Sequence, residues 1–149
     1  MAKFDMRNPA EYAMALSATL SGTTPSAGGL IDMQGWEALT FTVSTGTVTD
    51  AGTASGFAFE VQESDTTADG DFTAVADADL IGLESALTVT SDDDDDTLVG
   101  SIGYRGEKRY VRIVATGTAG TDAAVSVHAR KDKGAIMATA TVQAAIAAT

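Results

Sequence analysis

Apolar and polar residues alternate along much of this chain with a period of two, the signature of strands with one buried face. Tyr12, Met14, Leu16, Ala18 and Leu20 alternate with Ala13, Ala15, Ser17 and Thr19, which predicts a first strand over 12–20 with its even positions inward. Leu39, Phe41 and Val43, and then Phe57, Phe59 and Val61, repeat the pattern with polar or small residues between them. Near the end, Val125, Val127 and Ala129 oppose Ser126, His128 and Arg130. The segment from Ser21 to Gly29 is rich in Gly, Thr, Ser and Pro and reads as a loop. A turn is expected at Asp69-Gly70, followed by a short strand among Phe72, Val75, Leu80 and Ile81 and another at Leu87 and Val89. Leu98 to Tyr104 and Arg109 to Ala115 flank Arg105-Gly106-Glu107-Lys108, a spacing that predicts a β-hairpin.

About eight short strands separated by Gly, Thr and Asp loops, with no long amphipathic helix, predict an all-β fold, an antiparallel β-sandwich or jelly roll. The expected organisation is an N-terminal arm over 1–11, a β-sandwich domain over 12–130 and a C-terminal arm over 131–149. From Ile136 onward the chain is rich in Ala, with Ile136, Ala138, Ala140 and Val142 at even positions. That composition leaves strand, helix and extended arm open; an arm that needs a partner is the favoured reading.

Composition narrows the chemistry. At 149 residues the chain has the size of one domain. Aromatic residues make up only 6% and much of the apolar content is Ala, so the core is expected to be thin. Cysteine is absent, which removes disulfides, thiolate metal sites and thiol nucleophiles. A formal net charge of −12 opposes binding to nucleic acid or an anionic membrane through a general positive field. The N-terminus carries charge where a signal peptide needs an apolar run, and no stretch of about 18 apolar residues occurs, so a soluble protein made in the cytoplasm is expected.

The basic residues are Lys3, Arg7, Arg105, Lys108, Arg109, Arg112, Arg130, Lys131 and Lys133, with none between positions 8 and 104. One reading makes them a docking surface that orients the domain on a larger assembly. The other makes them guards of a strand edge, or partners of acidic residues within the chain.

Other constellations lead back to structure. Asp92 to Asp96 are consecutive, so their side chains alternate in direction and do not converge on one cation. The segment 65–71 lacks the ligand order of a calcium loop and reads as a β-turn. His128 stands alone on the polar side of a predicted strand, and no Gly-x-Ser-x-Gly or phosphate-cradling loop occurs. Trp36 reads as a core anchor before a sugar platform. No catalytic residue, cofactor or metal site is assigned, and no enzymatic activity is expected.

The segments Gly28 to Leu39, Phe59 to Asp65, Phe72 to Val75 and Gly103 to Arg112 resemble small β-rich virion structural proteins of tailed bacteriophages, most of all the capsid decoration, or cement, proteins. The resemblance implies a non-enzymatic component of the capsid surface, made in the host bacterial cytoplasm, that binds the major capsid protein and forms a homo-oligomer, a trimer being favoured. No nucleic-acid or membrane partner is implied. Lys3, Phe4, Arg7, Arg105, Lys108, Arg109, Arg112, Arg130, Lys131, Lys133, Ile136 and Val142 are the expected capsid or intersubunit contacts. A tail-tube or head-tail connector subunit, or a carbohydrate-binding β-sandwich using Trp36, Tyr104 or Tyr110, are the alternatives.

Overall fold

The computed structural model describes residues 10–50, 57–89, 98–117 and 121–132. These residues are all-β, in two antiparallel sheets. The strands are β1 (Ala10–Ser21), β2 (Ser26–Ala27), β3 (Ile31–Asp32), β4 (Ala38–Asp50), β5 (Phe57–Ser64), β6 (Thr73–Ala74), β7 (Leu80–Ile81), β8 (Leu98–Tyr104), β9 (Tyr110–Gly117) and β10 (Thr121–Asp132). One sheet has the order β1-β10-β4-β8-β7; the other has β2-β9-β5-β6, with β3 also paired to β9. Short 3-10 turns at Asp69–Asp71, Asp77–Asp79 and Glu84–Leu87 interrupt the strands, and among the described residues no helix is long and apolar enough to cross a membrane.

The pairing is nested. β1 pairs with β10, β2 and β3 with β9, β4 with β8, and β5 with β6, so the second half of the chain retraces the first. Inward side chains from both sheets merge in a single cluster that includes Leu39, Phe41, Val43, Phe57, Val61, Ile102, Tyr104, Val111, Ile113 and Val127. The β-branched and aromatic residues at alternate positions form strands because they fill this interior, while Thr and Ser between them face outward.

Four expectations need correction. The even-position alternation of β1 does not run through the strand: Tyr12 and Met14 are 63% and 53% exposed, whereas Ala15, Leu16 and Leu20 are buried. A register shift between Met14 and Leu16 is the cause. One extra residue in a bulge switches the parity, so Ala15 and Leu16 both point inward. The Ala15 carbonyl accepts the Gly29 N–H at 2.7 Å and ties the bulge to the segment leading out of β2.

The predicted hairpin over 98–115 is instead a crossing between sheets, because β8 pairs with β4 and β7 while β9 pairs with β5, β2 and β3. A hairpin would close on main-chain bonds between its own strands. Here the Lys108 N–H donates to the Tyr104 hydroxyl at 3.0 Å, and the Arg105 N–H to the Asp79 carbonyl at 2.9 Å. The predicted strand at Leu87 and Val89 is a 3-10 turn followed by a lone bridge from Val89 to Phe57. The Ser21 to Gly29 loop in turn contains the two-residue strand β2.

Candidate functional site

Because β1, β4 and β9 start where β5, β8 and β10 finish, one end of the molecule gathers Ala10, Asp132, the 31–37 loop, the 65–72 loop and the 105–109 crossing. The described basic residues named by the sequence, Arg105, Lys108, Arg109, Arg112, Arg130 and Lys131, belong to this half of the fold. Lys3, Phe4, Arg7, Lys133, Ile136 and Val142 lie outside the described residues, as do Asp92 to Asp96.

Each described base is engaged within the chain. Lys108 pairs with Asp65, and Arg112 with Asp69. Arg112 also bonds the Gln62 side-chain oxygen at 2.9 Å and stacks 4.2 Å from the Phe72 ring. Arg109 grips Asp32 with Nη2 at 3.0 Å from Oδ2 and Nε at 3.2 Å from Oδ1. This guanidinium holds the Asp32 carboxyl below the usual carboxylate range. Arg105 sends Nε and Nη2 to the Ala78 carbonyl at 3.0 and 2.7 Å. Arg130 pairs with Asp132 at 2.8 Å and lies 5.8 Å from the Tyr12 ring centre.

Lys131, expected on an arm, is buried at the end of β10. Its ammonium meets Glu11 at 2.9 Å, the Asp32 carbonyl at 3.2 Å and the Trp36 ring at 5.0 Å. Lys108, Arg109, Arg112, Arg130 and Lys131 are thus each paired with a carboxylate, which offsets their positive charge.

The 31–37 loop and the 105–109 crossing face each other across an open cleft of about 440 Å³ lined by Met33, Trp36, Glu37, Glu107, Lys108 and Arg109, among others. Gly35, at φ 83°, makes the turn that brings the Trp36 N–H to the Met33 carbonyl at 2.9 Å. Trp36 is half-buried and packs on the rim of the core. Tyr104, one of the aromatic residues considered for a sugar platform, is only 2% exposed. Its hydroxyl donates to Glu63 Oε2 at 2.7 Å, and burial with this carboxylate neighbour pushes the phenol far above its ordinary pKa. Gly106 passes so close over that ring that an added methyl would lie 2.6 Å from it.

Sequence reasoning missed Glu84. Its Oε1 accepts the Val61 N–H at 2.6 Å on the side of β5 away from β9, and burial raises its pKa. No local pattern announces a carboxylate that caps a strand across 23 positions.

His128 is exposed on the outer face of β10. Among the described residues no group of three or more His, Cys, Asp or Glu side chains is arranged to hold a metal ion. No protein-family model matches this chain, and no curated protein gives a significant match.

Proposed function

We propose that this chain is a non-enzymatic virion structural protein that binds and stabilises a capsid exterior as a homo-oligomeric decoration protein. The observation that carries the reading is the nested pairing. Strand orders β1-β10-β4-β8-β7 and β2-β9-β5-β6, with the second half of the chain retracing the first, support a jelly-roll reading, an architecture that recurs in viral capsid and lectin domains. The likeness is one of fold, and a fold hosts many functions.

The chain ends add to it. Ala10 and Asp132, the first and last described residues, are paired neighbours at one end of the sheet. Two segments starting from one point suit contacts with a surface beyond the domain, and a strand donated to a neighbour satisfies its own backbone groups. The major capsid protein is the partner in this reading. The described basic residues play a smaller part than the sequence suggests, since each is already engaged inside the chain.

The test is retention on shells assembled from the major capsid protein of the same genome, followed by density-gradient sedimentation. The full chain is expected to co-sediment, and the chain lacking 1–9 and 133–149 to remain at the top. Equal retention of both would refute the role of the ends, and retention of neither would refute the capsid reading.

A second reading, carbohydrate binding, has the half-buried Trp36 beside the 440 Å³ cleft in its favour. Binding on a glycan array that is lost in Trp36→Ala would support it over the first.

A further inference from the structure

The outer face of the β1-β10-β4-β8-β7 sheet is unlike the rest of this acidic chain. Its centre presents Ser17, Thr19, Thr42, Ser44, Ser101 and Ser126. Among the described residues its charges stand at the margins: the Arg130–Asp132 pair at one end of β10 and Asp122 at the other, with His128 between them. Two further features share the face. A groove of about 450 Å³ runs over its small residues, with Ser17, Thr19, Ser44, Gly46, Ala124 and Ser126 along it. On the same edge strand, on the far side of the bulge, Tyr12 and Met14 project with 63% and 53% of their surface exposed.

We propose that this face is a two-fold interface between two copies of this chain, with Tyr12 and Met14 of each copy entering the Ser/Thr groove of the other. Charge selects the occupant. Two copies that each carry −12 repel one another wherever carboxylates meet. The centre of this face offers an approach without them, its charges being confined to Asp122 and the Arg130–Asp132 pair at the margins, and it offers a strongly charged foreign partner of either sign little to pair with.

Shape selects the symmetry. A two-fold axis lying between the stacked sheets and crossing the strands near Ala15 exchanges the two ends of β1. It therefore sets each pair of projecting side chains over the other copy's groove. An isologous contact needs this self-complementarity, and knob and hole on a single strand supply it.

One further observation agrees. Four neighbouring strands at about 4.8 Å spacing and some 8 residues in length give a face of roughly 600 Å² per copy, near the lower bound for a specific interface. The proposal stands independently of the capsid reading.

Sedimentation velocity over a concentration series tests it on the full chain. The wild type is expected to be a dimer or an even multiple of one. Ser126→Glu and Met14→Glu are each expected to weaken association about 100-fold or more, because each copy would bury an unpaired carboxylate. Ala58→Glu, on an exposed position of the other sheet, is expected to leave it unchanged. Met14→Ala adds no charge and keeps the test readable if a glutamate variant fails to fold; its expected loss is about 10-fold. A wild type that stays monomeric or forms an odd-numbered assembly overturns the proposal. So does an even assembly that the position 14 and 126 variants leave intact, or one that Ala58→Glu disrupts equally.

Discussion

Tyr104→Phe isolates the contact that turns a predicted hairpin into a crossing between sheets. The substitution keeps the ring that fills the core and removes only the hydroxyl. That hydroxyl donates to Glu63 Oε2 at 2.7 Å and accepts the Lys108 N–H at 3.0 Å, so one atom joins β5, the end of β8 and the crossing that leads to β9. The ring is 2% exposed, and water has little access to replace it. A hydrogen bond to a charged group contributes about 1.5–3 kcal/mol and a neutral one about 1 kcal/mol. With partial relaxation of the exposed crossing, the expected loss is about 2–3 kcal/mol. Urea unfolding followed by circular dichroism should show a lower midpoint at an unchanged m-value, and the melting temperature should fall by roughly 4–12 °C for a chain of this size. Glu63→Gln and the double variant complete a cycle, for which a coupling above about 0.5 kcal/mol is expected. A loss below about 0.5 kcal/mol would refute the reasoning, since residues 105–108 would then be held by something other than this hydroxyl.

Further expectations follow from the same geometry. Gly106→Ala pushes a methyl against the Tyr104 ring and should destabilise by about 1–3 kcal/mol by the same unfolding assay, whereas Gly70→Ala, in open space, should change stability by less than about 0.5 kcal/mol. Glu84→Ala leaves the Val61 N–H without its acceptor and should cost about 1–3 kcal/mol, while Glu84→Gln keeps an oxygen there and should be neutral or stabilising at pH 7. The sign with pH follows from the raised pKa of Glu84: the folded chain takes up this proton first, so the wild type loses stability as pH rises through the folded pKa, and the advantage of Glu84→Gln should vanish once pH falls below the unfolded glutamate range. A Glu84→Gln advantage that grew on acidification would contradict the assignment. Asp32, held low by Arg109, contributes in the opposite sense, with stability present above the unfolded aspartate pKa and lost as pH falls through the folded one; because both side chains are nearly half exposed, Asp32→Asn should cost less than about 1 kcal/mol in thermal unfolding near pH 7.

The strands that pair along most of their length were legible because their interior positions alternate: Phe41, Val43, Phe59, Val61, Val125 and Val127 all lie where a period of two places them. Legibility failed where one residue changes parity. In β1 the sequence offers Tyr12, Met14, Leu16, Ala18 and Leu20 as one unbroken face, and only the pairing partner β10 reveals the bulge that turns the first two outward. It failed again at Arg105 to Lys108, because a Gly-containing link between two alternating runs is the same string whether the runs pair with each other or with strands far away. The strands that claim the two runs, β4 for β8 and β5 for β9, lie far away in sequence, as does Glu63, the partner of the Tyr104 hydroxyl, 41 positions distant. Short elements such as β2 and β3 exist only because β9 offers them an edge, and Ser-Ala or Ile-Asp in isolation carries no such instruction.

The charge map is where sequence and fold differ most in appearance and agree most in logic. A chain with no basic residue between positions 8 and 104 looks segregated, and segregation suggests a positive patch held out toward a partner. Nested pairing removes it. When the second half of a chain retraces the first, late residues lie beside early ones, and the late bases meet the early acids: Lys108 with Asp65, Arg109 with Asp32, Arg112 with Asp69 and Lys131 with Glu11. Segregation along the sequence thus becomes pairing in space. Exposed pairs of this kind contribute little stability one by one. Their collective consequence is a penalty on wrong pairings, since Glu11, Asp32, Asp65 and Asp69 meet these cations when the halves of the chain close correctly. The acids left over repel other copies from most of the surface, and the Ser- and Thr-lined centre of the outer face of the β1-β10-β4-β8-β7 sheet is where that repulsion is weakest.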